Sequence, residues 1–342
     1  MEAAASRAPT SRGIEHLDCR LDLTYNWGYE KTRQDLRDLY AKATRSQWVA
    51  ADALPWSTDV DVSRPNYPEE LLPLYGSDLD AKMSKKEKER MHAELGAWIL
   101  SQFLHGEQGA LMAATQLVAS VPDLESKYYA ATQVVDEARH VEVYDRYLHE
   151  KIGFSYPINV HLKKLLDLIL TDSRWDMKLL GMQIMVEGLA LASFGAIRQS
   201  TTEPLLAQLT HYVMVDEARH VAFGVLALRD LYGDMKESER LEREDFVYEA
   251  AVLMRDRFLF DQVWEKLGMP VAECVEIALR SEAQVMFRQM LFSKIVPAVK
   301  KCGLLSPRQR VRFEKLGILQ FETWDDPFES LALPAQALLV SA

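Results

Sequence analysis

Val135-Asp136-Glu137-Ala138-Arg139-His140-Val141 recurs 80 positions later as Val215-Asp216-Glu217-Ala218-Arg219-His220-Val221. Glu107 and Glu187 are displaced by the same 80 positions, and each precedes the glutamate of its string by 30 residues. Chance recurrence of seven mixed residues is negligible, so an internal repeat organises the chain. Two helical hairpins related by a pseudo-twofold axis produce such a pattern.

The surrounding residues supply the hairpins. Ser84-Lys85-Lys86-Glu87 has the form of a capping box, and a long periodic segment runs from it to about Ser120. Val121-Pro122-Asp123 breaks that helix, and a second runs to about Lys151. Residues 153–157 form a loop, a short helix covers 158–171, and a long one covers 174–200. Thr201-Thr202-Glu203-Pro204 is the next break, with Pro near a helix start, and the following helix reaches about Leu231, where Gly233 ends it. Further helices are expected at 236–267, 270–299 and 306–317, before a Pro-containing tail. Residues 1 to about 80 are rich in Pro, Trp and Tyr, with turn-forming stretches at Trp56–Asp59 and Ser63–Pro68. They predict an irregular arm that wraps over the body and carries one short helix near Tyr29–Ala43. The expected fold is all-α, a four-helix bundle with a pseudo-twofold repeat plus additional C-terminal helices. Its divisions fall at 1–83 (arm), 84–232 (bundle) and 233–342 (extension).

The spacing brings the repeated side chains to one level. A helix rises about 1.5 Å per residue. Thirteen residues separate Glu107 from Ser120, and fifteen separate Pro122 from Glu137; in the second copy both arms of the hairpin are thirteen. Within each string Glu and His stand at i and i+3 on one helix face. Four carboxylates and two imidazoles thus share a layer of the bundle interior. The lone glutamates have apolar flanks, as in Met185-Val186-Glu187-Gly188-Leu189-Ala190. Glutamate is almost never buried unless it is paired or bound to metal. Glu107, Glu137, His140, Glu187, Glu217 and His220 are therefore candidate ligands of two divalent cations. Oxygen-rich ligation with one imidazole per ion suits iron or manganese better than zinc.

This ligand pattern, one Glu from each of two helices and Glu-x-x-His from each of the other two, resembles that of the ferritin-like di-iron carboxylate oxygenases and oxidases. Phe103–Ala114 followed by Asp136–His140 looks like the hydroxylase subunits of bacterial multicomponent monooxygenases. The Asp-Glu-x-Arg-His form also resembles acyl-carrier desaturases and arylamine N-oxygenases. The resemblance covers roughly residues 85–232. It implies that Asp136 holds His220, that Asp216 holds His140, and that Arg139 and Arg219 steady the two aspartates; the alternative is that both aspartates face solvent. It implies two iron ions, Fe/Fe or else Mn/Fe, with O2 as co-substrate. Two departures stand out. Multicomponent hydroxylases often carry a Thr where this chain has Leu191, and arylamine N-oxygenases carry an extra ligand His where it has Val213. Tyr144, one turn after His140, occupies the place of the radical tyrosine of ribonucleotide reductase small subunits, though those usually begin their ligand set with Asp, where Glu107 stands here. It is either a redox residue or a core tyrosine.

The function expected from this resemblance is O2-dependent oxidation of a small organic substrate by hydroxylation, N-oxygenation or desaturation. Ala110, Leu111, Leu191 and Phe194 are candidate pocket residues, although the small residues among their neighbours also suit close helix packing. The chain has no flavin, haem or iron–sulfur signature, so electrons come from a separate reductase or ferredoxin, from the substrate, or from peroxide. The alternatives are a radical-generating subunit and a ferritin- or rubrerythrin-like iron-handling protein. His105, His149 and His211 lack the ligand spacing and read as ordinary polar or core histidines. The net charge of −11 argues against nucleic acid and anionic membranes as partners. No run of about 18 apolar residues predicts a membrane span, and Met1–Gly13 lacks the apolar segment of a signal peptide. Three widely spaced cysteines, Cys19, Cys274 and Cys302, fit a reducing compartment. A cytoplasmic homodimer is expected.

Overall fold

The computed structural model describes residues 13–62 and 69–324. The expected turn at Ser63–Pro68 and the Pro-containing tail lie outside the described residues. Among those described there is no β-strand. Three helices precede the bundle: α1 (Gln34–Arg45), α2 (Ala50–Ala53) and α3 (Asp78–Lys82). The bundle begins with α4 (Lys85–Ser120), whose N-terminus carries the capping box. Ser84 Oγ accepts from the Glu87 N–H, and the Glu87 carboxylate accepts from the Ser84 N–H. Pro122 and the Asp123 cap reverse the chain into α5 (Leu124–Tyr147). A π-helical turn, Leu148–Ile152, follows and ends at Gly153, whose φ of 91° glycine adopts without strain.

The second hairpin repeats the plan after α6 (Val160–Thr171). Here α7 (Trp175–Leu179), a π-helical stretch Leu180–Val186 and α8 (Glu187–Ser200) form one rod. Among the described residues this rod is the one helix long and apolar enough to cross a membrane, but 78% of its apolar window is buried in the protein. It is the central core helix. Glu203 caps α9 (Pro204–Leu228), with Pro204 in the first turn. The antiparallel pairs α4/α5 and α8/α9 pack together, and α1 lies across α5 and α9.

The C-terminal region is more broken than the sequence predicts. The single helix expected over 236–267 is α10 (Glu237–Asp256), a turn at Arg257–Leu259, and α11 (Asp261–Leu267). Phe258 leaves helical geometry at φ −89°, ψ 36°, and Phe260 takes a left-handed φ of 58°. The helix expected over 270–299 is three pieces: α12 (Val271–Arg280), α13 (Glu282–Met290) and α14 (Ile295–Lys301). Ser281 separates the first two by accepting the Gln284 N–H as a cap. The last helix is α15 (Pro307–Lys315). In this region α10 packs on α6, while α10 and α14 both pack on the π-helical stretch before Glu187.

Candidate metal centre

Glu107 lies on α4, Glu137 and His140 on α5, Glu187 at the start of α8, and Glu217 and His220 on α9. All six are buried, none more than 5% exposed. The structure brings them into one cluster. Glu107, Glu137, His140 and Glu217 each present a ligand-type atom within 4.8 Å of the others, as do Glu137, Glu187 and His220. His140 Nδ1 faces Glu107 Oε2 at 3.3 Å, Glu137 Oε2 at 3.4 Å and Glu217 Oε1 at 3.1 Å. His220 Nδ1 faces Glu137 Oε1 at 3.1 Å and Glu217 Oε2 at 3.6 Å. Glu137 and Glu217 thus stand between the two imidazoles. Glu187 begins α8 directly after seven π-helical residues, which rotate the following turn relative to a regular helix.

The outer nitrogens of both rings meet carboxylates from the opposite repeat. His140 Nε2 is 3.1 Å from Asp216 Oδ2, and His220 Nε2 is 3.3 Å from Asp136 Oδ2. Arg219 pairs with Asp216, and Arg139 pairs with Asp136 and also reaches Asp216 at 3.1 Å. Neither aspartate faces solvent: they are 0% and 1% exposed.

Three contributors had no periodic signal in the sequence. Gln47 and Trp48 come from the segment that follows α1. The Gln47 amide donates to Asp136 at 2.8 Å, and the Trp48 indole N–H donates to Asp216 at 2.8 Å. The Arg139 guanidinium lies over the Trp48 ring, 4.6 Å from its centroid. The third is Gln133, whose amide donates to Glu137 at 3.0 Å and Glu187 at 2.9 Å. The 80-residue displacement could have drawn attention to it, because its counterpart in the second repeat is Val213. The pseudo-symmetry is broken at that level.

The protonation balance follows from crowding. Burial, then the neighbouring Glu217, pushes the Glu107 carboxyl well above its ordinary range; burial with Glu217 and Glu137 does the same to Glu187. Burial opposes charge on both imidazoles, yet the surrounding carboxylates outweigh it and raise His140 and His220 well above their usual value. Glu137 Oε2, Glu187 Oε2, both Glu217 oxygens and His220 Nδ1 are buried without a properly directed hydrogen bond. Buried polar atoms in such numbers call for a partner. Two divalent cations fit this donor set: their charge matches four carboxylates, and each receives one imidazole.

The other candidate residues fall elsewhere. Tyr144 is fully buried on α5, with its ring 5.8 Å from Phe103 and 6.0 Å from Phe194. A recess opens beside the cluster, lined by Gln102, Phe103, Gly106, Glu107, Ala110, Val186, Glu187, Ala190, Glu217 and Arg257. Of the four candidate pocket residues only Ala110 lines it. Phe194 is packed against Phe103 at 4.7 Å, Leu191 joins Ala218 and Val221 in a small separate cluster, and Leu111 is half-buried outside the recess. His105 bonds the Tyr156 carbonyl and His149 pairs with Asp145, and neither they nor His211 enters the cluster.

The helical bundle and its buried acid and imidazole cluster define a non-haem di-iron oxidoreductase of the ferritin-like superfamily, one that uses O2 to oxidise a small organic substrate. The model of the family "P-aminobenzoate N-oxygenase AurF" matches residues 29–303, and the chain belongs to that family. No curated protein matches it. Among solved structures, an R2-like ligand-binding oxidase with an aerobically reconstituted metal cofactor after photoconversion is 18% identical. The match covers 80% of this chain and 98% of that one, with a TM-score of 0.50. A second R2-like ligand-binding oxidase, with an aerobically reconstituted Mn/Fe cofactor, is also 18% identical, with coverage of 81% and 98% and a TM-score of 0.50. These two share the fold.

Proposed function

We propose that Glu107, Glu137, His140, Glu187, Glu217 and His220 hold two iron ions, and that the adjoining recess receives the organic substrate. The observation that carries this reading is the buried layer of carboxylate oxygens without hydrogen-bond donors, backed by imidazoles whose outer nitrogens meet Asp136 and Asp216. Irons bound there supply the reductive activation of O2. The protein's part is positional. Asp136 and Asp216 fix the ring orientation and tautomer of the two histidines, and Gln133 anchors Glu137 and Glu187 through its amide N–H. Ala110, Val186 and Ala190 give the substrate an apolar seat.

N-oxygenation of an arylamine does not carry over residue by residue. Val213, fully buried, stands where the arylamine N-oxygenases place their additional histidine. The proposal is therefore oxidation of a small organic molecule by a six-ligand centre, with electrons from a separate reductase or ferredoxin. A cytoplasmic homodimer, working with its arm, bundle and extension divided at 83/84 and 232/233, completes the proposal. The arm and extension serve the bundle: Gln47 and Trp48 from one reach Asp136 and Asp216, and Arg257 from the other lines the recess. Loading with Fe(II) under argon followed by O2 tests the reading. Substrate-dependent O2 uptake supports it, and the absence of both uptake and any transient absorbing species overturns it.

The recess has its own test. A Cβ added at Gly106 meets nothing within 4 Å, whereas one at Gly109 would strike Leu166 at 2.6 Å. Gly109 is a packing glycine, and Gly106 borders open space. Gly106→Leu is expected to retain two irons by elemental analysis while lowering substrate-dependent O2 uptake at least tenfold. Undiminished uptake would place the substrate elsewhere. For Tyr144 the packing against two phenylalanines supports the core role. Tyr144→Phe is expected to keep metal and turnover, and an EPR radical lost in that variant would instead assign it redox duty.

A further inference from the structure

A second cavity, of about 300 Å³, lies among the C-terminal helices and shares no lining residue with the recess or the metal cluster. It forms where α10 ends, between α12, α13 and the turn after α15. Most of its wall is apolar, supplied by Leu259, Leu279, Val285, Phe292, Leu316 and Ile318. Its polar lining is Arg255 and Asp256 from α10, with Arg288 and Gln289 from α13.

The charges of this lining do not balance. Arg255 Nε holds Asp256 Oδ1 at 2.6 Å, so that pair is neutral. Arg288 is 5% exposed, and among the described residues it has no ion pair; its hydrogen bond runs from Nη1 to the Ala278 carbonyl at 3.1 Å. Arg139, Arg219 and Arg243, buried to a similar degree, all meet aspartates. Burial, then the Arg255 charge, lowers the Arg288 pKa, and Asp256 opposes both. An arginine keeps its proton all the same, so one positive charge is left over. A buried charge without a counter-ion is costly, and an anion seated against it offsets that cost. The Gln289 amide adds a neutral donor beside Arg288, without a hydrogen-bond partner among the described residues. Gly317 makes room for it, since a Cβ there would collide with the amide nitrogen.

We infer that this cavity is a binding site, separate from the metal centre, for an organic molecule with one anionic group and an apolar body. Arg288 and Gln289 receive the anionic group, and the six apolar side chains receive the rest. The volume falls at the small end of ordinary ligand sites, roughly 300–1,000 Å³. The planar guanidinium, with Nε and Nη2 not engaged elsewhere, orients an oxyanion as well as attracting it. No residue of the cavity is a candidate metal ligand, so the inference stands or falls apart from the di-iron reading.

The test uses the full iron-loaded chain under argon, with naphthalene-2-sulfonate as probe and naphthalene-2-sulfonamide as its uncharged counterpart, measured by titration calorimetry. The wild type is expected to bind one sulfonate per chain, at least about tenfold more tightly than the sulfonamide, the scale of hydrogen bonds to a charged group. Arg288→Met is expected to abolish that preference, and Arg288→Lys to retain part of it. Leu279 is 49% exposed at the cavity, so Leu279→Trp adds bulk without disturbing the core; it should weaken both probes at least tenfold. Gly106→Leu, which fills the recess instead, should leave the sulfonate affinity unchanged. Equal binding of the two probes by the wild type, an undiminished preference in Arg288→Met, or undiminished affinity in Leu279→Trp overturns the proposal. Loss of sulfonate binding in Gly106→Leu would place the probe at the metal centre and overturn it as well. Should Arg288→Met fail to fold, the Leu279 and Gly106 variants decide.

Discussion

Glu137→Ala is expected to lower the iron content to one ion or fewer per chain and to abolish substrate-dependent O2 uptake. Glu137 is the residue common to both groups of ligand-type atoms: its Oε2 faces His140 and its Oε1 faces His220. Gln133, four residues earlier on α5, presents its amide N–H to Glu137 and Glu187. Burial opposes charge on the Glu137 carboxyl, but His220 and His140 hold it well below its usual range. Elemental analysis after anaerobic loading and desalting reads the effect. Two irons with an unchanged spectrum would mean that the cluster is not the metal site. His220→Ala should behave alike, since it removes the imidazole of one metal group.

The second large effect falls on Asp216, for which two substitutions separate two roles. Asp216 receives His140, Trp48, Arg139 and Arg219. Burial opposes its charge, but His140 and the neighbouring cations hold its pKa well below the ordinary carboxylate range. Asp216→Ala leaves Arg219, 3% exposed, with Asp136 at 3.6 Å as its remaining ion pair, and frees the Trp48 indole. A buried charge left in that state costs about 3–5 kcal/mol, which denaturant titration measures. Asp216→Asn keeps the volume and one acceptor, so the fold survives. The amide cannot match a carboxylate in fixing the His140 ring, and activity should fall ~10–100-fold with the metal retained. An asparagine variant equal to wild type in turnover and metal content would remove the positioning role of Asp216.

The parts of this site that could be read from the sequence share one property: they repeat. Glu107, Glu137, His140, Glu187, Glu217 and His220 were legible because an 80-residue displacement and helical spacing leave little freedom in where they point. The bundle boundaries were legible for a similar local reason, since Ser84–Glu87, Pro122 and Pro204 are strong start and stop signals. Gln47 and Trp48 sit in a segment without periodicity, and only the folded chain brings them to Asp136 and Asp216. Arg257 was hidden more completely. The break that presents it runs Arg257-Phe258-Leu259-Phe260, with no Gly or Pro to mark it, so the pattern reads as uninterrupted helix. Ser281 was different: Ser281-Glu282-Ala283-Gln284 carries a capping signal that the apolar periodicity on both sides obscured.

The broken symmetry also bears on function. The 80-residue rule pairs Gln133 with Val213 and Gln183 with Phe103. Gln183 donates to Gln133 at 3.4 Å, so a polar pair, one residue from each repeat, supports Glu137 and Glu187, and the symmetry-related pair, Phe103 and Val213, is apolar. Phe103 lines the recess, and Gln133 and Gln183 do not. The two sides of the cluster are thus chemically unequal, and Phe103 of the apolar pair borders the recess.

The most direct test of the central claim is an anomalous-difference map recorded at the iron edge from crystals of the Fe(II)-loaded protein. Two peaks about 3.5–4 Å apart, the separation typical of two-metal sites, are expected among Glu107, Glu137, His140, Glu187, Glu217 and His220. No peak at that layer, or iron bound at other side chains, would contradict it.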